Sequence, residues 1–131
     1  MILVDSSVWI DYFNGASTAQ TELLDGLLGR ELVVIGDLVL TEVLQGFKSD
    51  RDFKKARELL DTLILKEMLG KKLAIKSAQN YRKLRKKGVT VRKTIDVIIA
   101  TFCIENRLPL LHSDRDFDRI GRIRPLKMVH D

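Results

Sequence analysis

The sequence predicts an α/β domain over residues 1–131, with a mostly parallel central sheet of about five strands flanked by helices. Three observations predict it. Short apolar, β-branched runs alternate with longer stretches of helical periodicity, the order that builds parallel sheets through helical crossovers. Two of those runs lead into acids, Ile2-Leu3-Val4 into Asp5 and Leu110-Leu111 into Asp114, at the sheet edge where open α/β folds bind their ligands. The 131 residues hold one core's worth of apolar side chains and no repeat or low-complexity linker.

The elements follow in order. Ile2-Leu3-Val4 reads as a buried strand, and Ser6 and Ser7 offer caps for a helix carrying Val8, Trp9, Ile10, Tyr12 and Phe13. A second helix lies between Ser17 and Gly29, capped by Thr18 or Ser17, with Leu23, Leu24, Leu27 and Leu28 as its apolar stripe. Leu32–Ile35 is the second strand, and Gly36-Asp37 turns the chain into a helix over 38–46. Residues 51–65 form an amphipathic helix with Phe53, Ala56, Leu59, Leu60 and Leu63 inward, while Leu63–Met68 either ends it or begins a short strand. Residues 72–87 are helical, with Ala74, Ile75, Ala78, Tyr81 and Leu84 on one side, and Gly88 stops them. Thr94 is expected to cap a helix from Ile95 to Asn106 that is apolar nearly all round and hence buried. Leu110-Leu111 is a late strand, and a last one is expected around Leu126–Val129.

Charge is unevenly spread. The net charge is +5, yet between Lys71 and Lys93 there are ten basic residues and no acid. A basic arm beside an acidic remainder suits a polyanionic partner, although a solvated lysine-rich helix face has the same composition. Within the arm, Arg82, Lys83, Arg85, Lys86 and Lys87 are the candidates for phosphate contacts, which supply affinity rather than base identity. No apolar run approaches a membrane span. The single cysteine, Cys103, excludes a disulfide framework, and with no apolar leader the expectation is a reducing cytoplasm. His112 and His130 do not make a zinc motif.

Four acids stand in apolar surroundings: Asp5, Glu42, Asp96 and Asp114. Each alone has a structural reading, as a helix-start charge or an Asx turn. In a parallel sheet, however, strand ends and the starts of the following helices share one edge, where these four can converge. Two like charges ~4 Å apart repel by about 4 kcal/mol at an effective dielectric near 20, so such a cluster needs protons or a cation. With oxygen ligands only, that cation is a hard one, Mg²⁺ or Mn²⁺, which serves phosphoryl chemistry.

The ordered set Val4-Asp5-Ser6-Ser7-Val8-Trp9-Ile10, Glu42, Thr94-Ile95-Asp96-Val97-Ile98-Ile99-Ala100 and Leu110-Leu111-His112-Ser113-Asp114-Arg115-Asp116-Phe117 resembles PIN-domain ribonucleases, most of all the VapC toxins of toxin–antitoxin pairs. The resemblance spans essentially the whole chain. It implies metal-dependent endonucleolytic cleavage of RNA, with Mg²⁺ or Mn²⁺ held by Asp5, Glu42, Asp96 and Asp114. It gives Ser7 the orienting of a carboxylate or water and Asp116 a supporting or second-metal role; His112 stands where many relatives carry Thr. It further implies a VapB-type antitoxin, for which Trp9, Tyr12 and Phe13 would help form a groove, and a homodimer that becomes a heterotetramer or larger with antitoxin.

The rival readings are a non-catalytic nucleic-acid-binding module using the 71–93 arm and a haloacid-dehalogenase-like phosphatase. The phosphatase needs a second Asp two residues after the first, where this chain has Ser7. A serine hydrolase would need a G-x-S-x-G elbow, which the sequence lacks.

Overall fold

The computed structural model describes residues 1–30 and 32–121. β1 (Ile2–Val4) is followed by α1 (Ser6–Phe13) and α2 (Ala19–Leu27), and β2 (Val33–Gly36) by α3 (Asp37–Gln45) and α4 (Asp50–Leu60). After β3 (Ile64–Lys66) come α5 (Lys71–Lys86) and α6 (Thr94–Asn106); β4 (Leu110–Leu111) leads into α7 (Arg115–Gly121). The four strands run in the order β3-β2-β1-β4, every pair parallel, with Leu3 in register with both Val34 and Leu110. Four strands among the described residues replace the expected five or so; the strand expected around Leu126–Val129 lies outside those residues.

The strand order locates the site. The chain winds outward from β1 through β2 to β3, then crosses back to lay β4 on the other side of β1. The winding reverses between β1 and β4, and a crevice opens beyond strand ends at such a reversal. The backbone N–H of Asp5 donates to the Leu111 carbonyl at 2.9 Å, so the two acid-bearing strand ends lie side by side.

Packing explains where the elements depart from expectation. Residues 63–68 do not extend the preceding helix: Ile64–Lys66 pairs with Val34–Gly36 as the sheet's edge strand. Gly36 lets the Met68 side chain approach closely there: a Cβ at that position would lie 2.1 Å from the Met68 sulfur and force it to move. On α5 the inward residues are Ser77, Asn80 and Leu84, whereas Ile75 is 50% exposed and Ala74 and Ala78 face outward. Polar pairing turns the helix this way: the Asn80 amide donates to Thr101 Oγ1 at 3.0 Å, and that hydroxyl donates to the Val97 carbonyl at 2.7 Å. Ser77 and Asn80 keep the 3–4 spacing of a buried stripe but are polar, so an apolar count misses them. Phe53, expected inward, is likewise exposed on α4, while Ala56 and Leu60 of that helix are buried.

The core forms around β1 and α6. Leu3, Val4, Trp9, Val34, Ile99 and Leu110 are fully or almost fully buried. α6 starts at Thr94, with Lys93 rather than Thr94 as its N-cap. α6 is buried nearly all round, as its composition predicts, and Cys103 sits within it as a small hydrophobe whose thiol burial pushes far up, leaving it unreactive. Among the described residues no helix is long and apolar enough to cross a membrane.

Candidate active site

Asp5 ends β1 and caps α1. The expected serine cap is replaced by this carboxylate, whose Oδ2 accepts from the Ser7 backbone N–H at 3.0 Å and from the Ser7 hydroxyl at 2.6 Å. Its extended backbone, φ −71° and ψ 157°, is the ordinary geometry of an N-cap. Ser7 Oγ in turn accepts from the Ser113 N–H at 3.2 Å, tying the end of β1 to the segment that follows β4. The other oxygen, Oδ1, is buried with no hydrogen-bond partner among the described residues. Burial raises the Asp5 pKa, and the bonds from Ser7 and the charge of His112 only partly oppose it.

Asp96 lies in the first turn of α6 and is 4% exposed. Its Oδ2 is a second buried oxygen without a partner among the described residues. Burial first, then the charges of Asp5, Asp114 and Glu42, raise its pKa to about 7, with Lys93 pulling the other way. Glu42 comes from α3, where the Ser6 hydroxyl donates to its Oε1 at 3.1 Å. Its pKa is raised by burial and by Asp5, and lowered by Ser6 and Lys93.

Asp114 and Asp116 arrive through the turn between β4 and α7. Asp114 Oδ1 accepts from the Asp116 N–H at 3.0 Å, and the Asp114 N–H donates to His112 Nδ1 at 3.2 Å. His112 packs its ring on Phe117, with centroids 5.1 Å apart, and its Nε2 lies 3.5 Å from Asp118. The imidazole thus braces the turn that presents Asp114. One carboxylate oxygen from each of Asp96, Asp114 and Asp116 lies within 4.8 Å of the others. That spacing, with the orphaned oxygens of Asp5 and Asp96 beside it, suits a hard divalent cation. The donor set is all oxygen, which argues against zinc or copper.

The four expected acids therefore sense one another at one sheet edge, with Asp116 drawn into the tight group and Glu42 at its border. Arg82, Lys83, Arg85 and Lys86 on the last turns of α5 and Lys87 just after it are all exposed, a short connector away from the start of α6. Trp9, expected to help face a groove, is instead 0% exposed, and its indole stacks on Phe13 at 5.8 Å. Tyr12 and Phe13 are half-buried, and Phe13 lines a cavity of about 440 Å³ with Phe47, Lys48, Asp52, Lys55 and Leu59. Sequence reasoning missed Ser6, which fixes Glu42, and Arg92 and Arg119, which flank Asp116 at 4.0 Å each. The available signal was the position of Arg92-Lys93 just before the Asp96 helix.

A family model described as PIN domain matches residues 2–123. VapC ribonuclease Mb1587 of Mycobacterium bovis and ribonuclease VapC11 of Mycobacterium tuberculosis are each 31% identical to the chain over 132 residues, covering 97% of it and 96% of their own length. The chain belongs to the VapC family of PIN-domain ribonucleases. Solved structures share the fold of this PIN domain at low identity. VapBC2 from Rickettsia felis, bound to a promoter DNA fragment, superposes with a TM-score of 0.78 at 19% identity, over 98% of both chains. VapC20 of Mycobacterium tuberculosis, a sarcin-ricin loop cleaving toxin, gives 0.69 at 18% identity over 95% of this chain and 100% of its own.

Proposed function

We propose that residues 1–131 form one PIN domain acting as a Mg²⁺- or Mn²⁺-dependent endoribonuclease, the cytoplasmic toxin of a VapBC-type pair. The observation that carries the catalytic part is the convergence of Asp5, Glu42, Asp96, Asp114 and Asp116, with two buried carboxylate oxygens lacking any partner among the described residues. Asp96, Asp114 and Asp116 would hold the cation, with Asp5 Oδ1 as a further ligand. A divalent cation held there supplies a water of lowered pKa and offsets charge on the phosphate.

The chain's own residues do the rest. Ser7 holds Asp5 by its hydroxyl and its backbone N–H, leaving one oxygen free. Glu42, fixed by Ser6 and lying at the border of the tight group, is the carboxylate positioned to take a proton from the attacking water. Its raised pKa makes it a better base than a free glutamate. The exposed cations at the end of α5 hold flanking RNA phosphates. Tyr12 and Phe13, supported by the buried Trp9, offer the apolar wall of a groove for a VapB-type antitoxin segment, and a homodimer is the expected assembly.

The test is cleavage of total RNA by purified toxin after EDTA treatment, with Mn²⁺ or Mg²⁺ restored. Cleavage should vanish with EDTA and return with either ion; cutting that persists in EDTA overturns the metal reading, and none with any ion overturns the nuclease.

A further inference from the structure

Asp116 is bracketed by two guanidinium groups. Arg92 Nε lies 4.0 Å from its Oδ2 and Arg119 Nη1 lies 4.0 Å from its Oδ1, while the carboxylate itself is only 5% exposed. The two arginines come from different segments, one preceding α6 and one on α7. Their own side chains are 82% and 53% exposed, and both end beside Asp116, a member of the acid cluster. Ion pairs this long and this wet contribute little to folding. Neither guanidinium has a second partner among the described residues, so each has N–H donors left for a ligand.

We propose that Arg92 and Arg119 form a clamp for the scissile phosphodiester, gripping its non-bridging oxygens above the cation site. This rests on the ribonuclease reading and adds residues and a role to it. Arginine's planar fork matches two phosphate oxygens at once, which a lysine cannot do. Hydrolysis of a phosphodiester adds negative charge to those oxygens, so donors fixed over them stabilise the transition state more than the bound RNA. The same cations oppose a divalent ion at Asp116, because like charges raise each other's energy. The clamp therefore has opposite effects on two measurable quantities: it weakens cation binding slightly and speeds cleavage. The basic end of α5 acts differently, on affinity for RNA of any sequence.

The experiment compares the wild type with Arg92→Ala, Arg92→Lys and Arg119→Ala. Mn²⁺ affinity is measured by calorimetry on the RNA-free protein, and single-turnover cleavage at saturating Mn²⁺ and RNA. Because both side chains are largely exposed, the variants should fold with an unchanged Tm, checked by thermal melting. The expected result is Mn²⁺ binding equal to or tighter than wild type, with cleavage slower by about 10- to 100-fold in each alanine variant. Arg92→Lys should recover only part of the rate. Saturated cleavage at the wild-type rate in Arg92→Ala overturns the clamp, and so does loss of Mn²⁺ binding, which would make the arginines props for Asp116. Wild-type protein inert toward RNA with Mn²⁺ overturns the nuclease reading and the clamp with it, an outcome distinct from the other two.

Discussion

Asp96 and the apolar residues that follow it on α6 are buried to the same degree and for opposite reasons. From Val97 to Cys103 the helix presents Val97, Ile99, Ala100, Phe102 and Cys103 to the core, where removal from water stabilises the fold. Immediately before that stretch, Asp96 is just as hidden, yet it faces Asp5, Asp114 and Glu42 instead of apolar neighbours. Burial there costs stability in the metal-free protein, because it disfavours the charged carboxylate and strengthens repulsion between the acids. A single helix thus spends its C-terminal turns holding the domain together and its first turn holding a group the domain would be more stable without. The contrast marks the functional end of the molecule without reference to any relative.

Removing one side chain from each half should separate the two roles. Phe102→Ala, in the core half, should cost about 3–5 kcal/mol of stability while the protein that remains folded keeps its Mn²⁺ affinity. Asp96→Asn, in the acid half, should reduce cleavage by a factor on the order of 10³ or more, since it removes a ligand of the proposed cation. The same substitution should stabilise the metal-free protein by roughly 1–3 kcal/mol at pH 8, where the wild-type carboxylate is forced to ionise. Thermal melts in EDTA and RNA cleavage in Mn²⁺ measure both. An Asp96→Asn protein that melts below the wild type in EDTA would break the comparison.

Proton linkage sharpens it further. Between the ordinary Asp value of 3.8 and about 7, the folded metal-free protein holds a proton on Asp96 that the unfolded chain has released. The folded state binds more protons across this window, so stability falls as pH rises through it. The loss should be complete above about 7 and absent from Asp96→Asn. Cation binding must expel that proton, so Mn²⁺ affinity should climb up to tenfold per pH unit below about 7 and level off above it. Calorimetry at pH 6, 7 and 8 checks the slope; affinity that is flat with pH would mean that Asp96 is ionised without metal.

Much of this was legible in the sequence, and the exceptions share a cause. The strand ends at Asp5 and Asp114 and the helix-start Asp96 were visible because an acid among apolar neighbours breaks a local pattern. That they meet followed from parallel topology, which brings strand ends to one edge. What stayed hidden depended on rotation about an element's axis. The inward face of α5 is set by Asn80 bonding to Thr101, and neither residue looks buried by composition. The resemblance places Asp116 near the site, but its position in the tight group with Asp96 and Asp114 comes from the Asx turn at Asp114, which no spacing rule supplies. Trp9 went to the core although its neighbours Tyr12 and Phe13 stayed near the surface, a choice made by helix phase.

The smallest effect expected distinguishes the adjacent serines. Ser7→Ala removes the 2.6 Å hydroxyl bond to Asp5 and the acceptor for the Ser113 N–H, but leaves the 3.0 Å bond from the residue 7 backbone to Asp5 in place. A charge-assisted hydrogen bond at a partly buried position contributes about 1–2 kcal/mol, so Mn²⁺ affinity should fall by roughly 5- to 30-fold. Cleavage at saturating Mn²⁺ should stay near that of the wild type, because Asp5 is still present and still anchored through the backbone. Ser6→Ala acts on Glu42, outside the group proposed to hold the cation, by deleting its 3.1 Å bond. There the saturated rate should fall several-fold while Mn²⁺ affinity hardly moves. The two readouts should therefore exchange between neighbouring residues. If both serines altered the same quantity, Asp5 and Glu42 would not divide the work of holding the cation and moving the proton.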